Sequence, residues 1–162
     1  MSLSAIRTAI KTKVAAVTNV LKVYDYQRQW TTVAEFDAGA VTATVIQWWT
    51  VSLLEYSLHE LSNCEAMPYY KFKIMGYYGA EDSAASEKTF HGLVEDVCNA
   101  FGVDMDLGGT VEPGDIAGHP FVNLGLPKAE LGEGQEIRTK FLLHTARIEL
   151  AVRDVTVVTI AR

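Results

Sequence analysis

Histidine is the side chain most ready to move a proton near neutral pH, and this 162-residue chain has four: His59, His91, His119 and His144. None stands four residues from another or beside a cysteine, so no pair has the spacing that places two imidazoles on one metal ion. His91 and Glu95 share what reads as a helix face and suit either an acid/base pair or a plain surface contact. Acid/base work would also need a pocket and a displaced pKa, which makes the surface contact the expected one. His144 falls on the apolar phase of a strand pattern, which suits a core or interface histidine better than a ligand.

Other chemistry-bearing patterns stop short. Glu81 and Asp82, Glu95 and Asp96, Asp104 and Asp106, and Glu112 and Asp115 fall in capping or loop positions and read as a solvated acidic face. The string DMDLGG opens like a calcium loop but never reaches the closing bidentate glutamate. LGGT at 107–110 and LGEGQE at 131–136 match neither a dinucleotide fingerprint nor a phosphate loop, and no nucleophile elbow or zinc-protease motif occurs. Cys64 and Cys98 are far apart, which suits reduced thiols better than a disulfide framework. The residues therefore predict no catalytic group, no cofactor and no metal.

Composition points to one folded domain over 1–162. Hydrophobic residues make up 49% and charged residues 21%, which is ordinary globular usage. The formal charge of −6, with no cluster of Lys and Arg, argues against tight nucleic-acid binding but allows DNA to pass nearby without sticking. The most apolar stretch, Val41 to Leu54, is short for a membrane span and is broken by Thr42, Thr44, Gln47, Thr50 and Ser52. The basic N-terminal stretch lacks the continuous apolar run of a secretion signal and reads as an amphipathic helix.

The elements follow from periodicity. Leu3, Ile6, Ile10, Val14, Val17 and Leu21 recur at steps of three and four, predicting a helix of about five turns capped by Ser2 or Ser4 and ending near Asn19 to Leu21. LKVYDYQ, AVTATVIQWW and YYKFKIMGYY read as strands, with Tyr70, Phe72 and Ile74 on one face. SLLEYSLHELSNCEAMP is ambiguous, and the spacing of Leu54, Leu58 and Leu61 favours a short helix. Phe90, Leu93, Val94, Val97, Cys98 and Phe101 define a second helix, roughly 83–101, capped by Asp82 or Ser83 and stopped by Gly102. A long strand from His144 through Val152 and a short one in VTVVTI close the chain. The expected fold is α+β, a mainly antiparallel sheet with both helices on one face.

The segment Gly102 to Gly134 holds eight of the twelve glycines and three of the four prolines, so 103–135 reads as a long functional loop or arm. Ile116, Phe121, Val122, Leu124 and Leu126 are its apolar anchors. The arm either reaches across a subunit boundary or folds back over its own sheet. Trp30, Trp48, Trp49 and seven tyrosines exceed what a small core needs, and aromatics are enriched at interfaces. Trp48 and Trp49, adjacent on a strand, should place one ring inside and one outside.

Several strings resemble the tail terminator proteins of long-tailed bacteriophages and, more loosely, other ring-forming proteins of the phage neck. They are LSAIRTAIKTKVAAV, YKFKIMGYYG running into SAASEKTFHGLVEDVCNAFG, DLGGTV, and LLHTARIELAVRDV. The segment AEFDAGAVTATVIQWWTVSLLEYSLHEL has no counterpart in that pattern. The resemblance implies a homo-oligomeric ring, typically a hexamer, that caps the tail tube, stops its polymerisation and offers a surface to the head connector. It implies a place in the virion tail after assembly in the host cytoplasm, DNA passing through the channel without specific binding, no membrane, no catalysis and no cofactor. Trp48, Trp49 and the five loop anchors are then the candidate interface residues. Two alternatives stay open: a neck or head-tail joining ring, and, in another class, a small-ligand-binding or enzymatic α+β domain with a deep apolar pocket lined by histidine and carboxylate.

Overall fold

A computed structural model of the chain describes residues 2–62, 65–81, 85–103, 107, 127–136, 142–153 and 158–159. It opens with helix α1, Leu3–Ala15, which starts where the Ser2 hydroxyl accepts the Ala5 amide at 3.2 Å. Ile6, Ile10 and Val14 recur every four residues and are fully buried against the sheet. The helix is shorter than its pattern predicts. A turn follows and brings Asn19 to a left-handed φ of 66°, a conformation asparagine tolerates better than most residues.

The described strands form one mixed sheet in the order β1-β3-β4-β6-β5, with β2 paired to β3 and β7 to β4 off that path. Here β1 is Val23–Tyr24, β2 Val41–Thr42, β3 Val45–Ser62, β4 Glu65–Gly79, β5 Lys128–Glu136, β6 Leu142–Arg153 and β7 Val158–Thr159. Every pairing is antiparallel except that of β1 with β3. The alternation in YYKFKIMGYY and in His144 to Val152 forms strands as expected, and Tyr70, Phe72, Ile74, Ile148, Leu150 and Val152 all turn into one core.

That core lies between one sheet face and helices α1 and α3, Ser86–Val103. Phe90, Leu93, Val94, Val97 and Phe101 supply the α3 stripe, as their spacing requires. Burying each large apolar side chain contributes roughly 1.5–3 kcal/mol, so this layer holds most of the fold's stability. Gly102 does not stop α3, which runs through it to Val103. Asp82 and Ser83, the expected caps, lie outside the described residues.

Three further expectations are corrected. LKVYDYQ contributes only the two residues of β1. AVTATVIQWW is not one strand but a hairpin, because Ala43 adopts φ 55° in a tight turn between β2 and β3. The stretch 53–62 is not helical: it continues β3, pairing with β4 from Gln47↔Tyr78 to Ser62↔Glu65. A bulge between Leu53 and Glu55 shifts the register there and blurs the period-two pattern.

A third helix, α2, Val33–Ala40, has no counterpart in the sequence reading. Thr32 caps it by accepting the Glu35 amide at 3.2 Å, while the Glu35 carboxylate reaches back to the Thr31 amide and hydroxyl, both at 2.9 Å. That reciprocal arrangement is a capping box. The Thr31 amide bond, first among several, holds the Glu35 carboxyl below its ordinary pKa. Phe36 and Ala40 pack on Trp48 and Leu143 in a separate small core. Trp48 and Trp49 point to opposite sheet faces, so α2 covers the face that α1 and α3 do not. The helices are therefore not all on one side.

Candidate functional site

Both tryptophans proposed for an interface are inside. Trp49 is fully buried in the main core, where its ring rests on Gly76 and tilts towards Phe90. Trp48 is buried by α2: it stacks on Tyr77 at 4.4 Å and meets Trp30 and Phe36 edge to face at 4.9 and 5.6 Å. The expectation of one exposed ring fails because α2 builds a second core over it. Ile116, Phe121, Val122, Leu124 and Leu126 lie outside the described residues, as do His119 and Cys64. The arm expected over 103–135 is shortened at its far end, since Lys128–Glu136 is strand β5 hydrogen-bonded along β6. Gly132, which helped mark the segment as loop, faces Thr145 so closely that a Cβ would lie 2.5 Å from its hydroxyl oxygen.

Three exposed apolar side chains, Leu54, Tyr56 and Leu58, fall close together on β3. β6 pairs with β4 from Tyr69 to Gly79, and beyond that point, among the described residues, β7 pairs with β4 at Glu65 and Ala66. Leu54 and Tyr56 of β3 lie opposite the part of β4 that β6 pairs, and Leu58 lies beyond it; they are 42%, 53% and 46% exposed. Tyr56 packs against Tyr70 at 5.4 Å and Leu58 lies opposite Pro68 across the β3–β4 hairpin. Val158 of β7, opposite Ala66, is exposed on the same sheet face as Leu58. The sequence signal lies in LLEYSLHEL, whose leucine spacing imitates a helix face.

The histidines do not converge. His59 is exposed on β3 beside the Tyr69 ring. His91 stands 3.9 Å from Glu87, not Glu95, one turn away on the open face of α3. His144 lies 3.0 Å from the Ser86 hydroxyl, which also accepts the Glu81 amide at 2.7 Å. With its proton on Nδ1, the imidazole accepts from Ser86, the polarity a serine nucleophile uses. Yet Ser86 is only 4% exposed, and the Phe90 ring stacks on His144. The pair ties the first turn of α3 to β6 and presents no hydroxyl to a substrate. An open groove of about 520 Å³ between α1 and α3 is lined by Lys13, Val17, Asp96 and Asn99 among others, without a histidine. Among the described residues no three His, Cys, Asp or Glu gather to hold a metal ion.

On the sheet face that α2 only partly covers, Glu149 joins two cations, Lys71 at 2.5 Å and Arg147. The Lys71 hydrogen bond lowers the Glu149 pKa, and the same bond raises that of Lys71. Partial burial pushes the Cys98 thiol pKa up, which favours its protonated form. Among the described residues no helix is long and apolar enough to cross a membrane. Neither a known protein family nor any curated protein matches the chain.

Proposed function

We propose that the chain is a structural protein of a phage tail, a terminator that assembles as a homo-oligomeric ring, hexameric in the typical case. The ring caps the tail tube, stops its polymerisation and offers its other side to the head connector or neck. It would act in the virion tail after assembly in the host cytoplasm, with DNA passing through a channel whose walls make no specific contact. The observation that carries the reading is the exposure of Leu54, Tyr56 and Leu58 along β3. Contiguous exposed apolar surface of this kind marks sites of protein association. The strings behind the resemblance support it, since YKFKIMGYYG falls on β4 and leads directly to α3.

Light scattering across a concentration series, alone and with a candidate tail-tube protein, tests the proposal. A hexamer-sized species, or a monomer that becomes a ring on the tube, is the expected result. A monomer at every concentration that ignores the tube overturns it. A ring that binds a connector but leaves tube growth unchecked would move the protein to the neck.

A further inference from the structure

On the sheet face away from α1 and α3, three cations, Lys71, Lys73 and Arg147, crowd around one carboxylate, Glu149. Lys73 stands directly opposite Glu149 in the register of β4 and β6. Both oxygens of that carboxylate are taken, one by Lys71 and the other by Arg147. Lys128, the neighbour of Glu149 on β5, holds Glu130 instead, and on β3 Lys73 meets Ser52 while Glu55 stands opposite Lys71. Among the described residues the half-buried Lys73 ammonium therefore has no ion pair. α2 packs around Trp48 and Tyr77, and Lys73 lies about 13 Å further along β4.

Cations in excess of their carboxylates fit a partner surface in which carboxylates are in excess. This chain has one on its other side. α3 turns Glu87, Glu95 and Asp96 to solvent against a single full cation, Lys88. Glu95 has no ion pair among the described residues. Between them lies Gly92, exposed within the helix, where an added Cβ would meet nothing within 4 Å. Glycine weakens a helix interior, and no neighbour in its own chain requires it here. Its bare backbone lets a second surface come close.

We propose that the open sheet face of each copy receives α3 of a second copy, with Lys73 against Glu95. The charges are complementary, and the spacings agree. Glu87 and Glu95 lie about 12 Å apart along the helix, and Arg147 and Lys71 about 13 Å apart along their strands. α3 packs on the sheet face opposite to the one that carries Lys73, so no chain can make this contact with itself. The joint is therefore head to tail: it uses a different surface on each copy, repeats, and closes into a ring when its rotation allows. The proposal rests on the ring reading and names its joint.

Charge reversal with rescue tests the joint, read by light scattering over a concentration series with circular dichroism as the check on folding. Lys73→Glu and Glu95→Lys should each need about tenfold more protein to assemble, and raised salt should weaken the unaltered protein too. Mixing the two variants in equal amounts should restore assembly, because an alternating ring then meets opposite charges at every joint. Glu95→Lys, on an exposed helix face, carries the test alone if Lys73→Glu does not fold. Loss of assembly that mixing two folded variants does not restore overturns the pairing of these two faces. A hexamer-sized oligomer that ignores the reversals and the salt overturns the joint and leaves the ring. A monomer at all concentrations, with or without tube protein, overturns both.

Discussion

Trp48 and Trp49 are neighbours in the chain but belong to different cores, Trp48 stacked on Tyr77 beneath α2 and Trp49 resting on Gly76 beneath α1 and α3. The sheet between them is one strand-layer thick, so each ring reports on the packing of a different set of helices.

Gly76 tests the main core. A Cβ at this position would lie 2.6 Å from Cζ3 of Trp49 and 2.7 Å from Cη2. The indole is fully buried and cannot swing away without moving its neighbours. Gly76→Ala should lower stability by about 1–3 kcal/mol, as overpacking does. Urea unfolding should show a lower midpoint at unchanged slope; an unchanged midpoint would mean the indole moves freely.

The small core makes a different claim. Trp48 joins α2 to the sheet through Phe36, Trp30 and Tyr77. Trp48→Ala should remove about 3–5 kcal/mol of local packing. Amide exchange should then accelerate in Val33–Ala40 while α1 and α3 keep their protection. Uniform acceleration across all three helices would show that the two cores unfold as one.

These two cores also show what the sequence could tell. α3 was legible because five buried residues repeat at helical spacing, and β4 and β6 because Tyr70 to Ile74 and Ile148 to Val152 alternate. α2 was not, because its short helix buries only Phe36, Gly39 and Ala40; its one clear signal is the capping box from Thr32 to Glu35. Over 53–62 the spacing of Leu54, Leu58 and Leu61 mimics a helix stripe, while long-range pairing with β4 sets the conformation. The glycines of β5 predict a loop because glycine usually marks one, yet Gly132 is required by the close approach of Thr145. The exposed face of β3 is legible only once that stretch is known to be a strand.

Gln47 is a buried polar residue whose amide does the work of a short strand. Its oxygen accepts the Leu21 amide at 2.8 Å and its nitrogen donates to the Asn19 carbonyl at 3.1 Å. Gln47→Ala leaves both backbone groups without these partners, a change worth about 1–3 kcal/mol. Exchange at Leu21 should quicken more than at Ile10; equal rates would mean that the link does not hold the turn after α1.

The Glu149 cluster predicts an acid limb. Because Lys71 and Arg147 hold its folded pKa below the ordinary value of 4.5, Glu149 binds protons less readily folded than unfolded. Its contribution is therefore full above the unfolded pKa and is lost as pH falls through the folded one. For Lys71 the sign reverses: its folded pKa lies above 10.5, so its share is present below that value and fades as pH rises through the raised one. Glu149→Gln should flatten the stability curve on the acid side below about pH 4.5. An unchanged acid limb would assign the loss to other carboxylates.

Ser86 and His144 decide between a fastener and a nucleophile. The hydroxyl takes the Glu81 amide, faces Nε2 of His144 and is closed from solvent, so it should resist modification in the folded protein. A fluorophosphonate probe should leave Ser86 unlabelled at neutral pH. Ser86→Ala should lower stability by about 1–3 kcal/mol, because it strips a partner from the Glu81 amide and from the imidazole. Stoichiometric labelling at Ser86, abolished by His144→Ala in a protein that still folds, would show an activated hydroxyl and turn the reading towards an enzyme.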